Sequence, residues 1–258
     1  MVRHDVITWP FDPSVDLGLL AAEAGYIWLS RRHRGTLGQA AFYVSGLLLI
    51  WLALETPLDP LGDHYLQSAH MVQHMVLIAV APPLLLLGLS RRMASAVLRL
   101  PGLAGLTQPV PGMIAYSLSI VFWHVPAVYD VAIANTPVHI LEHLSFLAAG
   151  LLMWWPVIEA TGQAGPNPLS SPMKLVYLFM ASLPMMTVAL VLQFSQVVFY
   201  SVYRTEPEIL GGITPVIDQN IAGSLMLFID LALTAFDMIV IFVRWARAEQ
   251  IKDQLLAP

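Results

Sequence analysis

The chain has 258 residues, of which 57% are hydrophobic and 11% are charged, whereas an ordinary soluble domain is about 25% charged. This apolar surplus excludes a soluble globular protein, because so few charged side chains cannot cover a domain of this size. The apolar residues form long blocks without period-two alternation, which excludes a membrane barrel. The net charge of -5, without a dense basic cluster, argues against a nucleic-acid partner.

Apolar stretches near 20 residues in length predict helices that cross a bilayer. We expect an all-α, polytopic membrane helix bundle of about seven transmembrane helices, with residues 1-258 forming one domain. The first stretch is the weakest because it is short and carries Glu23. No apolar leader with a cleavage site precedes it, so we expect no removable signal peptide. The predicted spans are, in chain order, 15-31, 36-54, 65-90, 110-128, 137-158, 174-200 and 219-243.

The positions of lysine and arginine predict the orientation of the bundle. With the N-terminus outside and the C-terminus in the cytoplasm, ten basic residues between Arg31 and Lys252 fall on the cytoplasmic side. Only Arg3 and Arg204 then lie outside. Cytoplasmic loops of membrane proteins are enriched in these residue types, so this orientation is favoured.

Two histidine pairs are the main functional signal. His70 and His74 lie four residues apart, as do His139 and His143, so each pair occupies one helix face. At about 1.5 Å of rise per residue, both pairs and His124 reach the outer third of the membrane. A pattern of this kind favours a metal or cofactor site. His124, or a further histidine at position 64, taken alone equally fits a structural hydrogen bond between helices.

Other residues near the histidines bear on which metal is bound. The chain has no cysteine, so His, Met, Asp or Glu must supply the ligands. Met71 and Met75, if they join the imidazoles, would suit copper, especially Cu(I), whereas imidazole alone also suits zinc or haem iron. Glu142, Asp230 and His64 are candidate accessory groups, with Asp230 placed to orient an imidazole or to offset the charge of an ion.

At these residues the sequence resembles the CtaG-type cytochrome c oxidase assembly family, a multi-pass membrane group found beside caa-type terminal oxidases. The resemblance covers nearly the whole chain. It rests on several separated motifs in a fixed order: His70–Met75 running into Ala81–Gly88, Trp123–Pro126 with Tyr129-Asp130, His139–His143, Gly150 to Trp154–Pro156, and Asp218–Gly223.

The resemblance implies a non-enzymatic factor of the bacterial cytoplasmic membrane that matures a haem–copper oxidase and delivers copper to it. The expected ligands are then His70, His74, His139 and His143, with His124 as a further one. The expected partners are the catalytic subunit of the oxidase and the lipid bilayer. An extracytoplasmic copper donor and a second copy of the chain are additional candidates.

Two other functions fit the same histidines. A b-type membrane cytochrome or reductase would use them as axial ligands of haem b. A metal-ion transporter would need polar groups that continue to the cytoplasmic side, where Asp237 alone offers a path.

Overall fold

The structure, a computed structural model, describes residues 8–204 and 212–256. These residues are largely helical and include no strand, which confirms the all-α prediction. Within the described ranges a π-helical turn occupies Val76–Val80 and a 3-10 turn occupies Ser201–Tyr203. The α-helices are, in order, α1 (Pro13–His33), α2 (Leu37–Leu54), α3 (Leu58–His64), α4 (Gln67–Met75), α5 (Ala81–Leu87), α6 (Arg91–Val97), α7 (Leu103–Leu106), α8 (Pro109–Trp123), α9 (Pro126–Ala134), α10 (Thr136–Trp154), α11 (Glu159–Gly162), α12 (Ser171–Phe194) and α13 (Pro215–Leu256).

Five helical segments of the described chain are long and apolar enough to cross a membrane: Leu37–Leu54, Gln67–Leu87, Thr136–Trp154, Ser171–Phe194 and Pro215–Leu255. The pair formed by α8 and α9, bent by 79°, would make a sixth. The predicted count of seven is not confirmed. Helix α1 covers the first predicted span but carries charged residues at both ends and at its centre, and it is not among the candidates.

The α4–α5 segment is one long helix with a π-helical turn in its middle. The turn ends just before two prolines, Pro82 and Pro83, which have no N–H to donate to the preceding turn. The carbonyl of Ile78 is therefore left without a partner inside the helix. Helix α10 packs against this carbonyl through Gly150, where a Cβ atom would lie only 2.3 Å from the Ile78 oxygen.

A second close contact joins α12 to α13. A Cβ atom on Gly223 would lie 2.5 Å from the carbonyl oxygen of Ala189, so only glycine allows this approach. One turn away, the Gln219 side chain accepts a hydrogen bond from Phe199 N and donates one to Val197 O. Helix α13 thereby holds the segment that follows α12 against the bundle.

Candidate metal centre

The two histidine pairs of α4 and α10 come together in the fold. One ring nitrogen from each of the four side chains lies within 4.8 Å of the others. The ring centroids are 4.1 Å apart for His70 and His74, and 4.2 Å apart for His139 and His143. Across the two helices, the His70 and His139 rings are 5.3 Å apart and the His74 and His143 rings 5.6 Å apart. We call these four residues the histidine cluster.

The Nε2 atoms of the histidine cluster are buried and make no hydrogen bond with the described residues. The exposed fraction is 0% for His70 and 2% for His74. In all four side chains, the Nε2 atom is inaccessible and makes no hydrogen bond within the described part of the chain. Unsatisfied buried polar atoms are costly, and native structures rarely keep several together without a ligand or water. A metal ion coordinated by these nitrogens would remove that cost.

Two carboxylates flank the histidine cluster. Asp63, at the end of α3, places its two oxygens 3.3 Å from His70 Nδ1 and 3.5 Å from His139 Nδ1. Glu142 is fully buried, and its Oε1 lies 3.6 Å from His74 Nε2. A carboxylate in the position of Asp63 commonly orients metal-binding imidazoles and raises their basicity, whereas Glu142 faces the Nε2 atom of His74.

The ionisation of the α3 carboxyls follows from their neighbours, and α3 lies outside the candidate spans. Burial and the charge of Asp63 raise the pKa of Asp59 to about 7, against the opposing effect of its contact with Gln73. Burial also acts to raise the pKa of Asp63, but His70, His139 and His64 outweigh it and lower the pKa overall. Asp63 therefore supplies the negative charge beside the histidine cluster.

His124 lies next to the histidine cluster but outside it. Its ring centroid is 6.1 Å from that of His74, and its nitrogens are not among the four that converge. The Nδ1–H group donates to Ile120 O at 2.8 Å, which leaves Nε2 as a free acceptor. This Nε2 is buried and makes no hydrogen bond among the described residues.

The remaining predicted accessory residues lie in different surroundings. Met71 and Met75 are buried in the apolar core, with exposed fractions of 0% and 1%. Asp230 lines a small cavity with Tyr116 and Trp154, in a part of the bundle that none of the histidines reaches. His64 is exposed at the end of α3.

Sequence reasoning missed the part that Asp63 plays beside the histidines. Asp63 lies just before the predicted span 65-90, and the sequence predictions did not link it to His70 or His139. The contact depends on the break between α3 and α4, where Tyr65 and Leu66 leave the helical path. Such a break carries no composition signal.

Three tyrosines cover the histidine cluster and were also missed. Tyr203 OH donates to Gly62 O at 2.7 Å, so Tyr129 OH is the donor in its 2.9 Å contact with Tyr203. The Tyr129 ring stacks on Tyr200 at 3.8 Å and meets His70 edge-on at 5.4 Å. Tyr129 therefore lies between His70 and the two other tyrosines.

The comparison with known families decides the relationship. The family model described as cytochrome c oxidase caa3 assembly factor (Caa3_CtaG) matches residues 24–248. The chain belongs to this family. No curated protein and no solved structure matches it.

Membership of this family and the geometry of the histidine cluster together indicate the general role of the chain. The family is one of oxidase assembly factors, which implies an interaction with a cytochrome oxidase and a non-catalytic role. The matched region contains all four members of the histidine cluster, whose arrangement is compatible with metal binding. The apolar helices make it a membrane protein.

The first prediction concerns Asp63. Replacing it with asparagine removes the charge that faces His70 and His139, so we expect the affinity of the histidine cluster for a metal ion, with Cu(I) as the probe, to fall roughly 10- to 100-fold, the usual effect of losing such a group. The number of ions bound per chain should not change. Competition with bicinchoninate on the purified protein measures both quantities.

Asp59→Asn is the matched control. Asp59 lies on the same helix but accepts its hydrogen bond from Gln73 Nε2 at 2.9 Å, and not from a histidine. Its replacement should affect Cu(I) affinity much less. Equal losses for the two variants would contradict the specific role given to Asp63.

Proposed function

We propose that this protein is a membrane assembly factor that binds copper through His70, His74, His139 and His143 and delivers it to a haem–copper cytochrome c oxidase. The observation that carries the proposal is the convergence of one ring nitrogen from each of four histidines in a chain of this family. Copper here is the cargo, and the chain itself performs no chemical conversion.

The donor set favours copper among the divalent first-row metals. Imidazole nitrogens bind copper more tightly than zinc or iron in the general affinity order. The chain has no cysteine to shift that preference. Asp63 and Glu142 would offset the positive charge of the ion inside the bundle.

Loading from the aqueous side is supported by the partial exposure of one edge of the site. The side chains of His139 and Asp63 are 11% and 21% exposed, whereas His70 and His74 are buried. An ion could therefore meet Asp63 and His139 first and then move inward by exchange of ligands. A carrier needs such exchangeable contacts, because it must also release its ion.

The b-type haem alternative is disfavoured by the same geometry. Axial ligands of haem approach iron from opposite faces of a flat macrocycle. Here the rings of the two helices contact each other directly, with centroids 5.3 and 5.6 Å apart. A macrocycle between them would require α4 and α10 to separate.

We place the site on the extracytoplasmic side of the bacterial cytoplasmic membrane, with the N-terminus outside. The support is the charge distribution: the basic residues Arg91, Arg92 and Arg99 follow the end of α5, about 20 Å of helix from His74. In this arrangement α1 also crosses the membrane and brings the number of membrane helices to seven. The histidine cluster then faces the compartment in which a copper donor would operate.

The orientation is open to a clean test because the chain has no cysteine. Gln196 and Ala104 are both exposed and lie at opposite ends of the bundle. A membrane-impermeant maleimide should label Gln196→Cys in intact cells, and Ala104→Cys only after permeabilisation. The reverse pattern would place the histidine cluster on the cytoplasmic side.

The function itself is tested by replacing one histidine pair. The wild-type protein, purified without added metal, should contain copper at about one ion per four-ligand site and no Soret band. His70→Ala combined with His74→Ala removes half of the ligands, so copper should fall to background. In cells, cytochrome c oxidase activity should fall with it. Mass spectrometry of the metals and a visible spectrum give the first readouts.

His64→Ala is the control for the histidine pair, since it removes an exposed imidazole near the site without touching the four ligands. It should leave copper content and oxidase activity unchanged. If the double variant also kept both, the carrier function would be refuted. A Soret band with matching iron would establish the haem function instead.

A further inference from the structure

A lateral groove reaches the neighbourhood of the histidine cluster from the side of the bundle. It has a volume of about 600 Å³ and lies between α8, α9, α12 and the segment that ends at Tyr200. Its lining is almost entirely apolar, and Val121 and Val191 at its edge are exposed. Helices α8 and α12 both belong to candidate spans, so the groove opens toward lipid.

His124 is the one histidine among the described residues that line this groove. It is 8% exposed, and its Nε2 makes no hydrogen bond in the described chain. The Nδ1–H group donates to Ile120 O and fixes the ring, and Tyr200 OH donates to the His124 carbonyl at 3.2 Å and holds the backbone. An Nδ1–H bond to a backbone carbonyl is a common arrangement in metal-binding histidines, because it fixes Nε2 as the coordinating atom.

The position of His124 follows from the bend of the chain. Helix α8 ends at Trp123 and α9 begins at Pro126, with 79° between their axes. Pro126 has no N–H to continue α8, so the helix stops and the residue at the elbow turns inward. This brings the His124 ring to 6.1 Å from His74, and Phe146 packs against both rings, at 6.2 and 4.6 Å.

We infer that His124 is the exit ligand for the metal, through which the ion passes from His74 into the lateral groove and on to an acceptor inside the membrane. The step is an exchange of ligands: a bond from the ion to His124 Nε2 forms as a bond to a member of the histidine cluster breaks. The oxidation state does not change and no proton is transferred. This inference rests on the proposed function.

The two openings of the site differ in chemistry, which supports separate loading and unloading. The edge at Asp63 and His139 carries negative charge and is exposed to water, so it suits an incoming cation. The groove is apolar and offers the ion no charged group, so a metal leaves there only to a ligand that itself lies in the membrane. Delivery in this direction protects the ion from aqueous competitors.

Two chelators of the same chemistry but different partitioning test the route. Neocuproine is uncharged and enters the bilayer, whereas bathocuproine disulfonate is charged and stays in water. The protein is loaded with Cu(I) in vesicles of phosphatidylethanolamine and phosphatidylglycerol, and the extraction rate by each chelator is followed by absorbance. His124→Phe should slow extraction by neocuproine roughly tenfold, the scale expected when one group around a metal is lost. Extraction by bathocuproine disulfonate should not change.

Two further variants control for folding and for ligand chemistry. His124→Met keeps a soft ligand at the elbow and should restore part of the neocuproine rate. His33→Ala removes an imidazole at the other end of the bundle, at the last residue of α1, and should leave both rates unchanged.

The outcomes separate the inference from the proposed function. If neocuproine extracts copper from His124→Phe as fast as from the wild type, or if both chelators slow equally, His124 is not the exit ligand. If the wild-type protein holds no copper, the proposed function fails before the route is examined. A normal copper content in His124→Phe, with only the neocuproine rate reduced, supports the route.

Discussion

The helices that carry the two histidine pairs meet backbone to backbone at Gly150 and Ile78, and the distance between the pairs depends on that contact. Gly150 lies two turns along α10 from His143, and Ile78 lies one turn beyond His74. Any side chain at position 150 would push the helices apart and lengthen the distances between the ring nitrogens. The π-helical turn and Pro82 contribute to the same contact, because they free the Ile78 carbonyl that α10 approaches.

A buried layer of imidazoles and carboxylates is expensive in an apolar bundle. Moving one charged group from water into a protein interior costs on the order of several kcal/mol, even after the protein relaxes around it. The bundle can accommodate this layer if the imidazoles and carboxylates act as partners for one another and a cation binds the nitrogens that are left without a partner. Asp63 faces the Nδ1 atoms of two imidazoles, Glu142 faces the Nε2 atom of a third, and one ring nitrogen from each of the four histidines converges where an ion would satisfy it. The same balance makes release feasible, because the protein supplies imidazoles and carboxyl groups and no thiolate.

Much of the architecture could be predicted from the sequence because hydropathy and helical periodicity are local properties. Five predicted spans correspond to helical segments long and apolar enough to cross a membrane, and the i,i+4 spacing placed each histidine pair on one face. The span predicted at 110-128 differs, since it bends at His124, where Pro126 ends α8. Proline marks such a site in a sequence, but the angle of the bend depends on how α9 packs.

The features that sequence could not predict are contacts between distant segments. Asp63 reaches His70 only because α3 packs on α4, and Tyr203 reaches Gly62 and Tyr129 only because α13 holds the segment after α12. For Asp230 the sequence predicted a contact that the structure does not show. Its depth on α13 suggested a role beside the histidines. The rotation of α13 instead directs it into a cavity with Tyr116. Depth along a helix is readable from a sequence, but the rotation of one helix against another is not.

The central claim is that imidazole nitrogens from α4 and α10 hold the copper ion. X-ray absorption at the copper edge, on protein purified from membranes, tests this claim most directly. The account predicts a first shell of nitrogen or oxygen scatterers, with the outer-shell pattern of at least two imidazole rings and no sulfur scatterer. A shell dominated by sulfur, as Met71 and Met75 would produce, or the absence of bound copper, would contradict it.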